Sequence, residues 1–191
     1  RVLREDLKNP DLLILGTELG LFWSNDRGAT WAELRGGMPL MAHNDLFIHP
    51  REHDLVLGTH SRGIWILDHM GALREMTAAV AAKPVHVFTT RPAEQIRYRG
   101  ELGHVGDVFY EGENPAEGGL VDFHLRTAGA ATLTVHERGG AEVARVEIRN
   151  ARAGINRTVW NLRYADGGPF VHTGSYALRV TSGGETATGS I

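Results

Sequence analysis

The chain has 191 residues, and its 20 lysine and arginine residues stand against 23 aspartate and glutamate residues, for a formal net charge of −3 at pH 7. This length is enough for one or two domains with a substantial core. The weak acidic excess argues against nucleic acid or an anionic membrane surface as the main partner. The chain has no cysteine, which excludes disulfides, thiol nucleophiles and cysteine-ligated metals.

No apolar run approaches the roughly 20 residues that a membrane-spanning helix needs, and no signal peptide is visible. Residues 1–6 already read like a strand, so we expect the chain to be a piece of a longer protein. Arginine supplies nearly all of the basic residues, which is typical of a GC-rich bacterial genome.

Residues 1–83 contain an internal repeat. Each copy has a first strand, a turn with a proline, an apolar strand that ends in Gly-Thr, and a third strand that begins with a glycine and an apolar pair. Pro10 and Pro50 are 40 residues apart, and Gly16 and Gly58 are 42 residues apart. A period of this length, with four short strands in each unit, predicts the blades of a β-propeller.

The octapeptide at residues 24–31 has the pattern S-x-D-x-G-x-T-W and lies between strand-like runs, so it predicts a tight hairpin turn. The aspartate carboxylate can accept hydrogen bonds from nearby backbone N–H groups, the glycine can take a positive φ, and the threonine favours re-entry into a strand. The residues that carry the pattern are Ser24, Asp26, Gly28, Thr30 and Trp31.

This octapeptide resembles the Asp-box, or BNR repeat, of sialidase-like and sortilin-like β-propellers. Residues 58–68 resemble the last blade of bacterial BNR-repeat proteins of the glycosyl-hydrolase-like kind. The resemblance implies that residues 1–83 are about two four-stranded blades, and that the Asp-box is a structural turn away from any catalytic centre. Two blades cannot close a ring, so we expect the remaining blades on a preceding segment or on another chain.

The second half of the chain has a different pattern. Residues 71–83 predict a short helix or an irregular crossover, and residues 84–106 predict a linker that contains one strand at 85–88. Residues 107–191 contain about seven short alternating strands, which predict an antiparallel β-sandwich. The motif around Trp160, with Asp166 and Tyr176, resembles that of FlgD-like immunoglobulin-like modules, which often end exported bacterial proteins. The expected fold is therefore all-β, a partial β-propeller followed by an immunoglobulin-like β-sandwich.

His49, Glu52 and His53 match the inverted zincin pattern H-x-x-E-H. That chemistry needs a helix, which places both imidazoles on one face. Pro50 and the strand-like flanks predict a surface turn instead, so we expect no metal site and no cofactor. The four tryptophans lie in strands or at strand starts, and we expect them in the core.

Polar residues near the predicted turns are candidates for a ligand site. Loops at one end of a propeller's channel often bind ligands, and a sugar or a carboxylate would suit a cluster of histidine, arginine and acidic side chains. The candidates are His43, Asp45, His60 and Arg62, with Glu18 as a further member.

Three functions are compatible with these patterns. The first is a non-catalytic binding or scaffold region of an exported bacterial propeller protein, with the sandwich as spacer or anchor. The alternative is part of a sialidase-like glycoside hydrolase whose catalytic residues lie in preceding blades. No residue here can be assigned to the carboxylate pair that glycosidases need, so we predict no catalytic residue in this chain. A third possibility is a sortilin-like propeller that binds a peptide in its channel.

Overall fold

The computed structural model describes residues 2–95, 116–165 and 167–191, and the chain divides into two compact units, one ending at Ala81 and the other beginning at Ala82. The described residues are all-β, with small antiparallel sheets and short helices. The start of the predicted second domain, the end of the predicted linker and Asp166 lie outside the described residues.

The first unit opens with a four-stranded antiparallel sheet in the order β1-β2-β3-β4. Apolar side chains of β2 and β3 lie on both faces of this sheet. Because successive side chains in a strand point to opposite faces, this sheet has apolar surface to bury on both sides. Its strands are β1 (Val2–Glu5), β2 (Leu13–Gly16), β3 (Leu21–Ser24) and β4 (Ala32–Glu33).

Among the residues that the structure describes, the second sheet has three strands in the order β5-β6-β7, and not the four that the repeat predicts. After β7 the chain turns away, because the His69 N–H donates to the Asp54 carboxylate at 2.8 Å and the Met70 N–H donates to the His53 carbonyl at 2.9 Å. These bonds bring the chain back to the turn between β5 and β6, so it does not return along β7. The strands are β5 (His43–Ile48), β6 (Leu55–Thr59) and β7 (Ile64–Leu67).

The strand pairing in the two sheets shows which residues of the two repeat copies are equivalent. Gly16 pairs with Leu21 in the first sheet, and Gly58 pairs with Ile64 in the second, so Leu21 and Ile64 are equivalent. Leu21 is 1% exposed, whereas Ile64 is 73% exposed.

The opposite faces show the reverse pattern. Leu3 pairs with Leu15, and Leu46 pairs with Leu57, so Leu3 and Leu46 are equivalent. Leu3 is 53% exposed and Leu46 is 1% exposed. Strand β5 of the second sheet lies against β1 and β2 of the first. Each sheet therefore buries one apolar face within the unit. The face that is buried in the first sheet is exposed in the second, and the face that is buried in the second sheet is exposed in the first.

Two short helices, α1 (Gly71–Glu75) and α2 (Ala78–Ala81), follow β7. Ala72 and Leu73 of α1 are buried, and so is the preceding Met70. The sequence predicted either a short helix or an irregular crossover here, and the structure has helices.

The second unit contains a three-stranded sheet, β12-β9-β8, and a four-stranded sheet, β11-β10-β13-β14. Strand β8, which the sequence places within the predicted linker, pairs with β9 of this unit. The strands are β8 (Val85–Val87), β9 (Gly119–Leu125), β10 (Gly129–His136), β11 (Glu142–Ala151), β12 (Gly154–Trp160), β13 (Ala177–Ser182) and β14 (Glu185–Ser190).

The two sheets of the second unit share one apolar core. Val121 and Phe123 from the first of these sheets and Leu133 and Leu178 from the second belong to the same buried cluster. Trp160 is 1% exposed within it, as the sequence predicts. The core therefore forms between the inner faces of two antiparallel sheets.

Trp31 is not a core residue, because its side chain is 40% exposed. Of the four tryptophans expected in the core, only Trp160 is fully buried, whereas Trp23 and Trp65 are partly buried and Trp31 is exposed. Its indole lies over the turn of the octapeptide instead, and the next subsection describes its contacts.

Replacing Trp160 with alanine should destabilise the second unit by about 3–5 kcal/mol, because a fully buried indole is lost. Trp31→Ala should cost less than half as much in the first unit, since much of that side chain already contacts water. Urea unfolding followed by hydrogen exchange of the core amides in each unit measures both changes. Equal losses for the two variants would contradict the different burial of the two indoles.

Candidate functional site

The octapeptide turn joins β3 to β4 through a closed set of hydrogen bonds. The Ser24 hydroxyl donates to the Asp26 carboxylate at 2.6 Å and accepts the Gly28 N–H at 2.8 Å. The Thr30 N–H donates to the same Asp26 oxygen at 2.8 Å, and the Thr30 hydroxyl donates to the other oxygen. Gly28 has a φ of +88°, which a side chain would strain. The turn is therefore built around one carboxylate.

The Asp26 carboxylate is held in its charged form. The hydroxyl of Ser24 and both donors of Thr30 lower its pKa from the ordinary value of 3.8 to about 2. These donors stabilise the anion and not the neutral acid. An acid this strong is ionised near neutral pH and does not serve as a proton donor there.

Trp31 completes the turn. Its indole Nε1–H donates to the Gly28 carbonyl at 3.0 Å. A Cβ on Gly28 would approach the indole to 3.4 Å, so the ring lies directly on the glycine. The indole thus covers the turn from the solvent side and leaves part of its own surface exposed.

A buried ion pair lies at the same end of the first unit as this turn. Arg74 of α1 donates to both oxygens of Asp6, at 2.8 and 2.6 Å. Asp6 has no exposed side-chain surface, and Arg74 is 13% exposed. Burial by itself would raise the Asp6 pKa, but the hydrogen bonds from Arg74 and from the N–H groups of Lys8 and Asn9 lower it overall. Asp6 is therefore a carboxylate in the folded chain.

Two asparagines connect this ion pair to the octapeptide turn. The Asn9 amide donates to the Asn25 side-chain oxygen at 3.0 Å, and the Asn25 amide donates to the Met76 carbonyl at 2.9 Å. Both amides also contact the Arg74 carbonyl at 3.2 Å. Helix α1, the turn after β1 and the octapeptide turn are thus held in one polar network.

The opposite end of the sheets, which we name the turn end, consists of residues 17–20, 34–43 and 60–63. Hydrogen bonds join its three segments: the His43 N–H donates to the Thr17 carbonyl, and the His60 N–H donates to the Ala42 carbonyl, both at 2.9 Å. Thr17 and Thr59 close their turns in the same way, each donating from its hydroxyl to the carbonyl of the glycine that follows, Gly20 or Gly63. The repeat therefore places equivalent turns side by side.

His43 is buried at the turn end, with 2% of its surface exposed. Neither ring nitrogen forms a hydrogen bond of good geometry within the described residues. Burial lowers the His43 pKa, and the carbonyls of Thr17 and Gly20 offset this only in part. The imidazole is therefore held neutral, with one potential donor and one potential acceptor.

A small cavity of about 130 Å³ opens beside this imidazole. Its polar rim is the ion pair of Arg35 and Glu33, whose side chains meet at 2.7 Å. Its remaining wall is apolar and comes mostly from the connection between β4 and β5. The lining residues are Gly20, Leu21, Glu33, Leu34, Arg35, Met38, Pro39, Leu40 and His43.

The other candidate ligand residues do not share this cavity. Asp45 lies on β5 beyond a bulge, and its carboxylate accepts from Arg4 at 2.7 Å. His60 and Arg62 are exposed in the turn between β6 and β7. Glu18 lies in the turn between β2 and β3. Asp45, His60 and Arg62 thus lie at one end of the second sheet and Glu18 lies in a turn of the first sheet, and the four do not converge on one pocket.

The H-x-x-E-H segment forms the turn between β5 and β6. The His53 N–H donates to the His49 carbonyl at 2.9 Å, and the Glu52 N–H donates to the His49 ring at 3.1 Å. His53 has a φ of +60°, which no helix contains. The two imidazoles are therefore not presented on one helical face, and the described residues contain no cluster suited to a metal ion.

Several of these residues carry no signal in the sequence that would mark them as part of a site. Asp6 and Arg74 are 68 positions apart, and nothing in their local patterns marks them as a pair. Glu33 and Arg35 are ordinary charged residues near a predicted turn. Only the register of β3 with β4 and the path of residues 34–42 bring them beside His43.

No described helix is long and apolar enough to cross a membrane. No family model, curated protein or solved structure matches the chain.

The Thr30 hydroxyl should control the acidity of Asp26. Thr30→Val removes this donor, so the Asp26 pKa should rise from about 2 toward its ordinary value of 3.8, whereas Thr30→Ser should leave it low. Because the folded pKa lies below the unfolded one, Asp26 stabilises the fold above about pH 4 and this stabilisation is lost as the pH falls toward 2. Carbon-detected NMR titration of the carboxyl gives the pKa. An unchanged pKa in Thr30→Val would rule out the hydrogen-bond explanation.

Breaking the buried ion pair should destabilise the first unit strongly. Arg74→Met leaves the Asp6 carboxylate buried without its partner and should cost about 3–5 kcal/mol. The double variant Asp6→Leu with Arg74→Met should cost less than Arg74→Met alone, because no charge is left uncompensated. Urea unfolding of the first unit measures these changes. Arg51→Met is the control, since Arg51 pairs with Glu52 on the surface and its loss should have little effect.

Proposed function

We propose that the chain is the C-terminal region of an exported Asp-box β-propeller protein, with two blades followed by an FlgD-like immunoglobulin-like module, and that it is a non-catalytic binding and scaffold region. The observation that carries this proposal is the reciprocal burial of the two sheets in the first unit. Leu21 is buried while its equivalent Ile64 is exposed, and Leu46 is buried while its equivalent Leu3 is exposed.

Such a pattern is what a segment of a ring of stacked sheets requires. A further sheet on either side would cover the exposed faces in the same way as the two sheets cover each other. The natural partners are therefore further blades, supplied by another part of the polypeptide or by another chain. An antiparallel sheet with exposed apolar faces and open edges is otherwise prone to unwanted association.

The octapeptide turn supports a structural role for the Asp-box. Both oxygens of Asp26 accept hydrogen bonds from within the turn, and its low pKa removes it as a general acid. The hydrogen bonds of this turn thus hold β3 and β4 together.

Two contacts in the second unit support the proposed immunoglobulin-like module. The Tyr176 hydroxyl donates to the His172 carbonyl at 2.7 Å, four residues upstream, as in the tyrosine corner of such sandwiches. The Tyr176 ring meets the buried Trp160 ring edge-on, with centroids 5.1 Å apart. A module of this kind, held by a tryptophan core and without a catalytic centre, would serve as a spacer or anchor.

We place the binding role at the turn end. The neutral buried imidazole and the Arg35–Glu33 pair line the cavity, and the exposed Arg62 lies outside it in the turn between β6 and β7. Together these groups offer donors and acceptors suited to a hydroxyl-rich ligand that carries a carboxylate. A charge-assisted bond from arginine to a carboxylate is among the stronger polar contacts available to such a site.

Glycan binding without turnover tests this role. The chain should retain acidic glycans on an array and release no sugar from aryl glycosides. Arg62→Ala should weaken the retained interaction by about tenfold, as expected for losing one charged hydrogen bond of about 1.4 kcal/mol. Arg51→Ala, at the other end of the second sheet, should leave it unchanged. Hydrolysis by this chain, or equal losses in the two variants, would contradict the proposal.

A further inference from the structure

A cavity of about 310 Å³ lies between the octapeptide turn and helix α2 in the first unit. Strand β3 and the turn contribute Trp23, Asp26 and Trp31 to its wall, and α2 with the residues just before it contributes Met76 and Ala78. All the lining residues lie between positions 23 and 81, so the cavity is formed within the first unit alone. We name it the α2 cavity.

The α2 cavity is not one of the open sheet faces that further blades of the proposed ring would cover. Trp23 pairs with Ile14 and lies on the same face of the first sheet as Leu21. Ile14 and Leu21 are 0% and 1% exposed, so this is the face that the unit itself buries. The open apolar faces are those of Leu3 and Ile64 instead. Completing the ring therefore does not require anything to occupy the cavity.

A single negative charge lies in the wall of the α2 cavity. Asp26 is ionised, because the donors of the turn lower its pKa to about 2. It has no ion-pair partner among the described residues, and the neighbouring Arg27 pairs with Asp11. No basic side chain in the described part of the chain lines the cavity. An uncompensated carboxylate beside a largely apolar cavity favours a cationic ligand.

Most polar groups of the wall already have hydrogen-bond partners within the chain. Both oxygens of Asp26 accept hydrogen bonds from the turn, and the Trp31 indole N–H donates to the Gly28 carbonyl. The Asn25 amide donates to the Met76 carbonyl. A sugar would find few free donors or acceptors here, whereas a cation without N–H groups needs none. The cavity therefore offers a ligand charge and aromatic surface, and few hydrogen bonds.

Two tryptophans give the cavity surfaces that attract cations. The Trp31 ring is 40% exposed, and its hydrogen bond to Gly28 and its packing on that glycine fix its orientation. Trp23 and the polarisable thioether of Met76 line the same cavity. An indole face is the best aromatic partner for a cation, and quaternary ammonium groups are ligands that aromatic sites bind well. A primary ammonium would instead lose hydrogen bonds to water that this wall does not replace.

We propose that the α2 cavity binds a small quaternary ammonium compound such as choline. The trimethylammonium head would lie against Trp23 and Trp31, and the carboxylate of Asp26 would balance its charge without a hydrogen bond. The cavity volume is at the lower end of the roughly 300–1,000 Å³ that small-molecule sites occupy, so it suits a compact ligand. This site is separate from the turn end and does not depend on glycan binding there.

Choline chloride is the probe, and the whole chain is titrated with it. The indole N–H resonances of Trp23 and Trp31 should shift in a saturable manner in NMR spectra, and that of Trp160, in the core of the second unit, should not. The neutral analogue, in which a tert-butyl group replaces the trimethylammonium group, should bind about tenfold more weakly because it lacks the charge. Ethanolamine should also bind about tenfold more weakly, because its ammonium needs hydrogen-bond acceptors.

Matched variants on α2 test the location of the site. Ala78 lines the cavity and Ala79 does not, although both are exposed on the same helix. Ala78→Leu should fill part of the cavity and weaken choline binding by about tenfold, whereas Ala79→Leu should leave it unchanged. Trp31→Phe should retain more affinity than Trp31→Ala, because a smaller aromatic face remains. Exchange protection of the β2 and β3 amides shows that each variant is folded.

The proposal fails if choline causes no saturable shift, if the neutral analogue binds as tightly as choline, or if the two leucine variants have equal affinity for choline. Binding to phosphatidylcholine vesicles without binding of free choline would also overturn it, because the ligand would then be a membrane surface. Arg62→Ala should leave choline binding unchanged. A failure of glycan binding at the turn end is therefore distinguishable from a failure of this proposal.

Discussion

Leu21 and Ile64 have the same place in two copies of one repeat, yet one is buried and the other is in contact with water. The difference arises because the sheets of the first unit are apolar on both faces, and each covers only one face of the other. Apolar burial supplies most of the free energy that holds sheets together. In this pair of sheets, the two faces that are buried within the unit gain that free energy, and the two exposed faces do not. The proposed ring answers that constraint.

The polar network of Asp6, Arg74 and the two asparagines acts on the same unit from one end. After β7, this network holds α1 against the turn that follows β1. This is the point at which the repeat would have continued into a fourth strand. The desolvation of the two charges offsets much of what this buried, bidentate ion pair contributes to net stability. The octapeptide turn joins the network through Asn25, which ties a local motif to the tertiary arrangement.

Local chemistry made several features predictable from the sequence. Asp26, Gly28 and Thr30 lie within five residues of one another, so their hydrogen bonds depend on turn geometry alone. The period of the repeat and the alternation in the second half indicated short antiparallel strands, and Trp160 in its apolar surroundings indicated a core position. The ligand candidates were less predictable: His43 is buried, Asp45 is paired with Arg4, and His60 and Arg62 remain on the surface.

What the sequence determined by itself is the content of the chain: strands, turns, a repeat and a carboxylate-centred hairpin, all set by interactions within a few residues. The tertiary structure decided which apolar face of each sheet is covered and that the indole of Trp31 covers its turn. It also decided that the second sheet has three strands within the described part of the chain, and that Asp6 pairs with Arg74. These outcomes depend on contacts between residues far apart in the chain, whose energies are set by burial and geometry and leave no periodic trace in the sequence.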